Sequence, residues 1–298
     1  MNLALVVHPD KPDALRALGR VRACVDATPH RLLLWEISAH ALRRRSGDAA
    51  ELRGLEITSD LAACDAVVSL GGDGTLLRAV RGLGGADRPL LGINLGSLGF
   101  LTDVSAEELE TALQALLAGR FHLDSRMLLQ ARPESRPAVD LVALNEIVIH
   151  GARGRVLEFT TWVAGRELGR TLADGVIVAT PSGSTAYSLS AGGPVLSPRV
   201  EALVVTPISP HSLTIRPLVV GADETIEIIV QQTVAGSAAL TVDGQPSGAL
   251  AVGERLIVQR AARDLHLVTT HDRYFYDTLR TKLGWGSGRR GRAETPGG

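Results

Sequence analysis

The sequence predicts an α/β N-terminal domain on a parallel sheet, joined to an all-β, sandwich-like C-terminal domain, with a last helix packing back on the first. Three observations carry that expectation. Strand-like and helix-like segments alternate through residues 1–121; short β-rich runs separated by turns fill 122–269; and helical spacing resumes over 272–283 through Tyr276, Leu279 and Leu283. The α/β part is therefore expected over 1–121, completed by about 270–285, and the tail 286–298 is too poor in apolar residues to pack.

Taken in order, residues 3–7 form a buried strand and 13–25 carry helical spacing. Strands are expected at 66–70 and 90–94, with a helix at 75–83 between them. Ser105 and Glu108 spell a capping box, Leu109, Leu113 and Leu116 an apolar helical face, and Gly119 a stop. Such alternation builds a doubly wound, Rossmann-like sheet with helices on both faces. Beyond 121, the runs VDLVALNEIVIHG, VLEFTTWVAGREL, DGVIVATP, EALVVTPI, ETIEIIVQQ, ALTVDGQ, ERLIVQR and LHLVTT read as strands. Ala164-Gly165 and Asp243-Gly244 are hairpin-turn candidates.

Composition narrows the classes of function. A chain of 298 residues with 45% hydrophobic content can bury a sizeable core. A formal charge of −1 gives no overall field toward nucleic acid or a membrane, and the arginines of the tail read as solvated. The apolar run at the N-terminus is too short for a signal sequence, and no stretch approaches the ~20 residues needed to span a bilayer. Cys24 and Cys64 lie far apart without CxxC spacing, which fits a reducing, cytoplasmic setting. Lys11 and Lys282 are the only lysines, and no GxxxxGK loop exists. Phosphate handled by a P-loop lysine is accordingly excluded.

Two glycine loops follow strands in the first half. Gly71-Gly72-Asp73-Gly74-Thr75 runs from a strand into a helix, where backbone N–H groups and the helix dipole suit a phosphate; a turn capped by Asp73 is the plainer alternative. Asn94 to Leu101, NLGSLGFL, repeats the arrangement beside it. In the β half, Asn145 and Glu146 sit side by side in an apolar run, so one should face the interior unless the strand ends there. Its partner is either a ligand hydroxyl or an internal hydrogen bond. Gly183-Ser184-Thr185 fails the GxSxG pattern of an esterase, and no His, Cys or carboxylate spacing marks a built-in metal site.

GGDGT at 71–75, NLGSLGFL at 94–101, LNE at 144–146, DGVIVATPSGSTAYSLSAGGP at 174–194, TPISPHSLTIRPLV at 206–219 and KLGW at 282–285 together closely resemble the bacterial NAD kinases. The resemblance implies transfer of the γ-phosphoryl of ATP to the 2′-hydroxyl of the adenosine ribose of NAD, giving NADP, with Mg²⁺ as divalent metal. It implies Asp73 as proton acceptor and Asn145 and Glu146 as holders of the adenosine ribose. It further implies Thr185, Ala186 and Tyr187 at the adenine, and Asp174 and Ser190 near the nicotinamide end. Gly72, Gly74, Thr75, Arg78, Arg155, Ser188, Ser209 and Gln245 complete the nucleotide-binding set. A homodimer or homotetramer is implied, with the β-rich half binding NAD and forming the oligomer.

The chain departs from the family at Ser182, a tolerated change, and at Ser209 and Leu172, which leave NAD versus NADH preference open. Phosphoryl donor range, feedback by NADPH or NADH, and the role of residues 26–60 are also open. Two other readings stand beside this one. A lipid or sugar kinase shares GGDGT but not the 174–194 stretch, and a non-catalytic NAD(H) sensor has no use for Asp73 beside Asn145 and Glu146.

Overall fold

The computed structural model describes residues 1–47, 49–96, 99–151, 155–234, 236–270 and 275–284. The first half runs β1 (Asn2–Val7), α1 (Ala14–Asp26), β2 (Arg31–Trp35), α2 (Glu36–Ser46), β3 (Glu56–Thr58), β4 (Ala66–Gly71), α3 (Asp73–Leu83), β5 (Leu90–Asn94), β6 (Val104–Ser105), α4 (Leu109–Leu117) and β7 (His122–Arg126). Then come β8 (Leu129–Pro133), β9 (Leu141–Ala143), β10 (Glu146–Gly151), β11 (Leu157–Val163), β12 (Arg166–Ala173), β13 (Gly175–Ala179), α5 (Tyr187–Ser190), β14 (Ala202–Ile208) and β15 (Leu218–Gly221). The chain ends on β16 (Ile226–Thr233), β17 (Ser237–Val242), β18 (Gln245–Ala251), β19 (Arg255–Arg260), β20 (Leu265–Thr269) and α6 (Phe275–Leu283).

The first sheet has the order β3-β2-β1-β4-β5-β20-β7, with β6 beside β5, and its pairs are parallel except β20 with β7. Its central strands β1, β4 and β5 are apolar along their length because helices cover both faces. On one face α1 buries Ala14, Ala17, Leu18, Val21 and Val25, a helical stripe, beside α4. On the other, α3 buries Leu76, Ala79, Val80 and Leu83. The order reverses between β1 and β4, and at such a switch point a crevice opens outside the carboxyl ends of the strands.

Several boundaries differ from expectation. The sheet takes in β7 and β20, which lie across the expected limits at 121 and 269, because Leu265, Leu267 and Val268 bury into the cores under this sheet. Helix α3 opens at Asp73 rather than Thr75, since extended Gly72 caps it and accepts from Thr75 N and Leu76 N. Residues 26–60 supply β2, α2 and β3. The Ser105–Glu108 capping box is present ahead of α4.

Two six-stranded antiparallel sheets make the second half, ordered β15-β14-β13-β10-β17-β18 and β12-β11-β16-β19-β8-β9. Their inner faces interdigitate: Ile147, Ile149, Val176 and Leu203 of one meet Phe159, Ile226, Ile228 and Leu256 of the other. Both expected hairpin turns form, with positive φ at Ala164 (50°) and Gly165 (73°) and at Asp243 (46°) and Gly244 (71°). Helix α6 returns to the first half, burying Leu279 and setting Phe275 6.2 Å from Phe100. Asp272, Trp285 and the tail lie outside the described residues. Among the described residues no helix is long and apolar enough to cross a membrane.

Candidate active site

Strand β4 ends at Gly71, at the switch point, and delivers the chain straight into α3. A Cβ on Gly71 would overlap Thr75, and one on Gly99 would overlap the Asp73 carboxylate, so close approach demands glycine at both. Asp73 Oδ1 accepts from Leu101 N (3.2 Å), Thr102 N (3.1 Å) and Thr102 Oγ1 (2.9 Å), while Oδ2 accepts from Phe100 N (2.9 Å). Asn94 braces the same loop, donating to Thr102 Oγ1 (2.9 Å) and accepting from Gly96 N (2.8 Å). The two glycine loops are thus one unit with Asp73 as its hub. With a single donor on Oδ2, the carboxylate keeps acceptor capacity on that side.

Across the seam, the ladder breaks between β9 and β10, and both Asn145 and Glu146 are buried where the strand begins. Such a break leaves backbone donors to satisfy. The carboxylate of Asp243, on the tip of the β17–β18 hairpin, accepts from Leu144 N (2.9 Å), Asn145 N (2.8 Å) and Glu146 N (3.1 Å). From the other side Thr180 N donates to Asn145 O (2.9 Å) and Thr180 Oγ1 to Leu144 O (2.5 Å). Gly183 packs on the Asn145 carbonyl with no room for a Cβ. The main chain here is fully engaged, yet Asn145 Oδ1 and Glu146 Oε2 are buried without a partner. Leu144 joins Leu76 and Leu101 in one apolar cluster, which holds this pair against the start of α3.

Glu146 opens on a cavity of about 400 Å³, lined also by His150, Asp174, Tyr187, Thr241 and Gly244. Burial pushes the Glu146 carboxyl up to about 7, the charge of Asp243 adding to the rise and the Tyr187 backbone N–H opposing it. Burial also raises the Asp243 carboxyl, against the pull of its three N–H donors and Arg81. Two buried carboxyls this close disfavour each other's charge.

A second cleft, of about 320 Å³, opens at the carboxyl ends of β5 and β20 between the Gly99–Leu101 loop and α6. Phe100, His122, Arg126, Arg199, Phe275 and Tyr276 line it. Basic groups also gather beyond β1. Burial and the Arg78 guanidinium lower the His8 imidazole, Lys11 lowers it further, and Lys11 Nζ lies 3.1 Å from where a Cβ on Gly96 would stand.

The remaining expected residues divide. Gly72 and Gly74 flank Asp73, Gly74 being exposed, and Arg78 lies on α3. Thr75 is fully buried against Gly71, its hydroxyl unpartnered. Thr185 and Ala186 are half-buried, and the Thr185 hydroxyl donates to Ser182 O (3.0 Å). Ser188 is buried with its hydroxyl bonded to Thr206 (2.9 Å), so in this structure it serves the fold. Arg155, Ser190, Ser209 and Gln245 are exposed and do not line the cavity. Ser184 is buried and donates to Pro181 O (2.6 Å), consistent with the failed esterase pattern.

Sequence reasoning passed over two side chains. Asp243 was seen as a turn residue, and its three N–H partners lie 97–99 positions away, beyond any local signal. Lys11 carries a signal in the sequence only through its place just beyond the first strand.

Fold and site together define a two-part nucleotide-handling protein: an open α/β sheet with a glycine loop at its switch point, facing a β-sandwich whose cavity carries Glu146, His150 and Asp174. Family models of the ATP-NAD kinase N-terminal domain and C-terminal domain match residues 3–121 and 144–270. The chain is 45% identical over 253 residues to the NAD kinase of Gemmatimonas aurantiaca, covering 83% of this chain and 86% of that one. It is 42% identical over 276 residues to that of Citrifermentans bemidjiense, covering 91% and 95%. Among solved structures, yeast NADH kinase complexed with NADH superposes with a TM-score of 0.86 at 28% identity, covering 99% of this chain and 90% of that one. The NAD kinase of Archaeoglobus fulgidus in complex with ATP gives 0.72 at 26%, covering 95% and 98%. The chain belongs to the ATP-NAD kinase family.

Proposed function

We infer that the protein is an NAD kinase, phosphorylating NAD to NADP with ATP. The observation that supports the site most directly is that Asn145 Oδ1 and Glu146 Oε2, on consecutive residues after Leu144, are both buried with no protein partner, Leu144 sharing a core with Leu76 of α3. A ribose diol offers each of them a hydroxyl. In this assignment Thr185, Ala186 and Tyr187 border the adenine, and Asp174, Ser190 and Ser209 lie toward the nicotinamide. The cleft beside Phe100, Arg126 and Phe275 lies at the same sheet edge, where open α/β folds take ligands.

Asp73 is the proton acceptor. A ribose hydroxyl is far too weak an acid for a carboxylate to deprotonate in the ground state, so Asp73 orients it through Oδ2 and takes the proton late, as the phosphoryl group reaches the oxygen. The described residues hold no cluster of three or more His, Cys, Asp or Glu side chains that could cage an ion. Mg²⁺ is commonly held by one or two carboxylates, phosphate oxygens and waters rather than by an all-protein cage. Asp73 would share it, and when bound it offsets charge on the phosphoryl oxygens.

The sandwich leaves β12 and β15 as open edges carrying exposed Leu168, Leu172, Leu218 and Val219, which supports a homodimer or homotetramer. The two free cysteines fit a cytoplasmic setting. The direct test is purified protein with ATP, Mg²⁺ and NAD, the product read by an NADP-specific dehydrogenase, with NADH assayed in parallel. NADP is expected from NAD; binding of NAD without any phosphate transfer would return the chain to a sensor.

A further inference from the structure

Resting on the kinase reading, we propose that Lys11 takes the phosphate charge of the phosphoryl donor, with Arg78 beside it. Lysine is almost absent from the chain, which otherwise uses arginine for its basic side chains, yet both lysines lie against one loop. Lys11 Nζ stands 3.1 Å from the Cβ position of Gly96, and Lys282 Nζ sits 5.8 Å above the Phe100 ring. That loop is the one Asp73 gathers through Phe100, Leu101 and Thr102, so both lysines stand against the loop that holds the reacting carboxylate.

Lys11 is also unneutralised. Its sequence neighbours Asp10 and Asp13 are taken by Arg45 (2.6 Å) and Arg16 (2.8 Å). Among the described residues neither Lys11 nor Arg78 forms an ion pair. His8, just past the carboxyl end of β1 and beside β4 with its glycine loop, lies within electrostatic reach of Arg78, Asp10 and Lys11. Crowded cations with no anion of their own form a receptor for a polyanion, and a triphosphate is the one this reaction supplies.

The chemistry also favours lysine over arginine at this point. An ammonium is a compact point charge that fits against the Gly96 backbone, whereas a planar guanidinium needs a wider slot. In the transfer, the bond from the γ-phosphorus to its bridging oxygen breaks as the bond to the ribose oxygen forms. The ribose proton goes to Asp73 and the electron pair leaves on ADP. Lys11 makes no bond and offsets donor charge throughout.

Lys11→Ala and Lys11→Arg test this, with ATP and Mg²⁺ varied at saturating NAD and with NAD affinity measured calorimetrically without ATP. Lys11→Ala is expected to lower kcat/KM for ATP about 100-fold, as loss of a donor to the transition state does. NAD affinity and thermal midpoint should stay close to those of the parent. Lys11→Arg, with charge kept, should remain about 10-fold down, the size of a misplaced charged hydrogen bond. A Lys11→Ala protein with parental kcat/KM for ATP overturns the proposal, as does one whose NAD affinity falls equally. A parental Lys11→Arg overturns the claim that the site needs an ammonium. A parent protein that makes no NADP at all would instead sink the kinase reading, so the two failures are distinguishable.

Discussion

Glu146 carries a carboxyl in a place that disfavours its charge, and the consequence for stability has a definite sign. With its pKa raised from 4.5 to about 7, the folded state holds a proton that the unfolded state has lost between those values. Stability is therefore fully present below pH 4.5 and declines as pH rises toward and through 7. The loss amounts to about 3 kcal/mol at most. Glu146→Gln should thus be more stable than the parent at pH 8 and match it near pH 5, while losing NAD affinity; parallel melting curves at the two pH values check this. At Gly99 the prediction runs the other way. An alanine would drive its Cβ into the Asp73 carboxylate, so Gly99→Ala should lose kcat far beyond any effect on the melting point. The placement of Asp73 at a strand-to-helix junction was legible from GGDGT. Its four donors from residues 100–102 were not, because they depend on how two loops meet in space.

Among the elements, the β17–β18 hairpin does most to shape the site. A type I′ turn at Asp243-Gly244 could be read from the residue pair, since both positions adopt positive φ. What could not be read is that Asp243 is buried and that its carboxylate takes up the backbone N–H groups at the β9–β10 junction. An asparagine has one acceptor oxygen where the three N–H groups use two. Asp243→Asn should leave at least one buried donor unpaired and lower stability by about 1–3 kcal/mol, read as a shift in denaturant midpoint at constant slope. NAD binding should weaken with it, since Asn145 and Glu146 would lose their brace. Likewise β7 and β20 looked like members of the β-rich half because strand texture does not say which sheet a strand joins. Leu265, Leu267 and Val268 of β20 settle it by burying beneath the first sheet, and β7 follows as the antiparallel partner of β20.

At the scale of the whole molecule, the parts of the site come from opposite sides of one seam: Asp73 from the α/β sheet, Asn145 and Glu146 from the sandwich, joined by the cluster of Leu76, Leu101 and Leu144. The alternation of strands and helices and the change of texture near residue 121 were enough to foresee both architectures. The seam was not foreseeable, since its residues are far apart in the chain and carry no pattern of their own. The central claim is that Asp73 does the proton chemistry while the sandwich holds NAD. The measurement that bears on it most directly is NAD affinity and turnover side by side in Asp73→Asn. NAD binding within about two-fold of the parent, with kcat down by about 10²- to 10⁴-fold, is the expected result. Near-parental kcat in that variant would contradict the account.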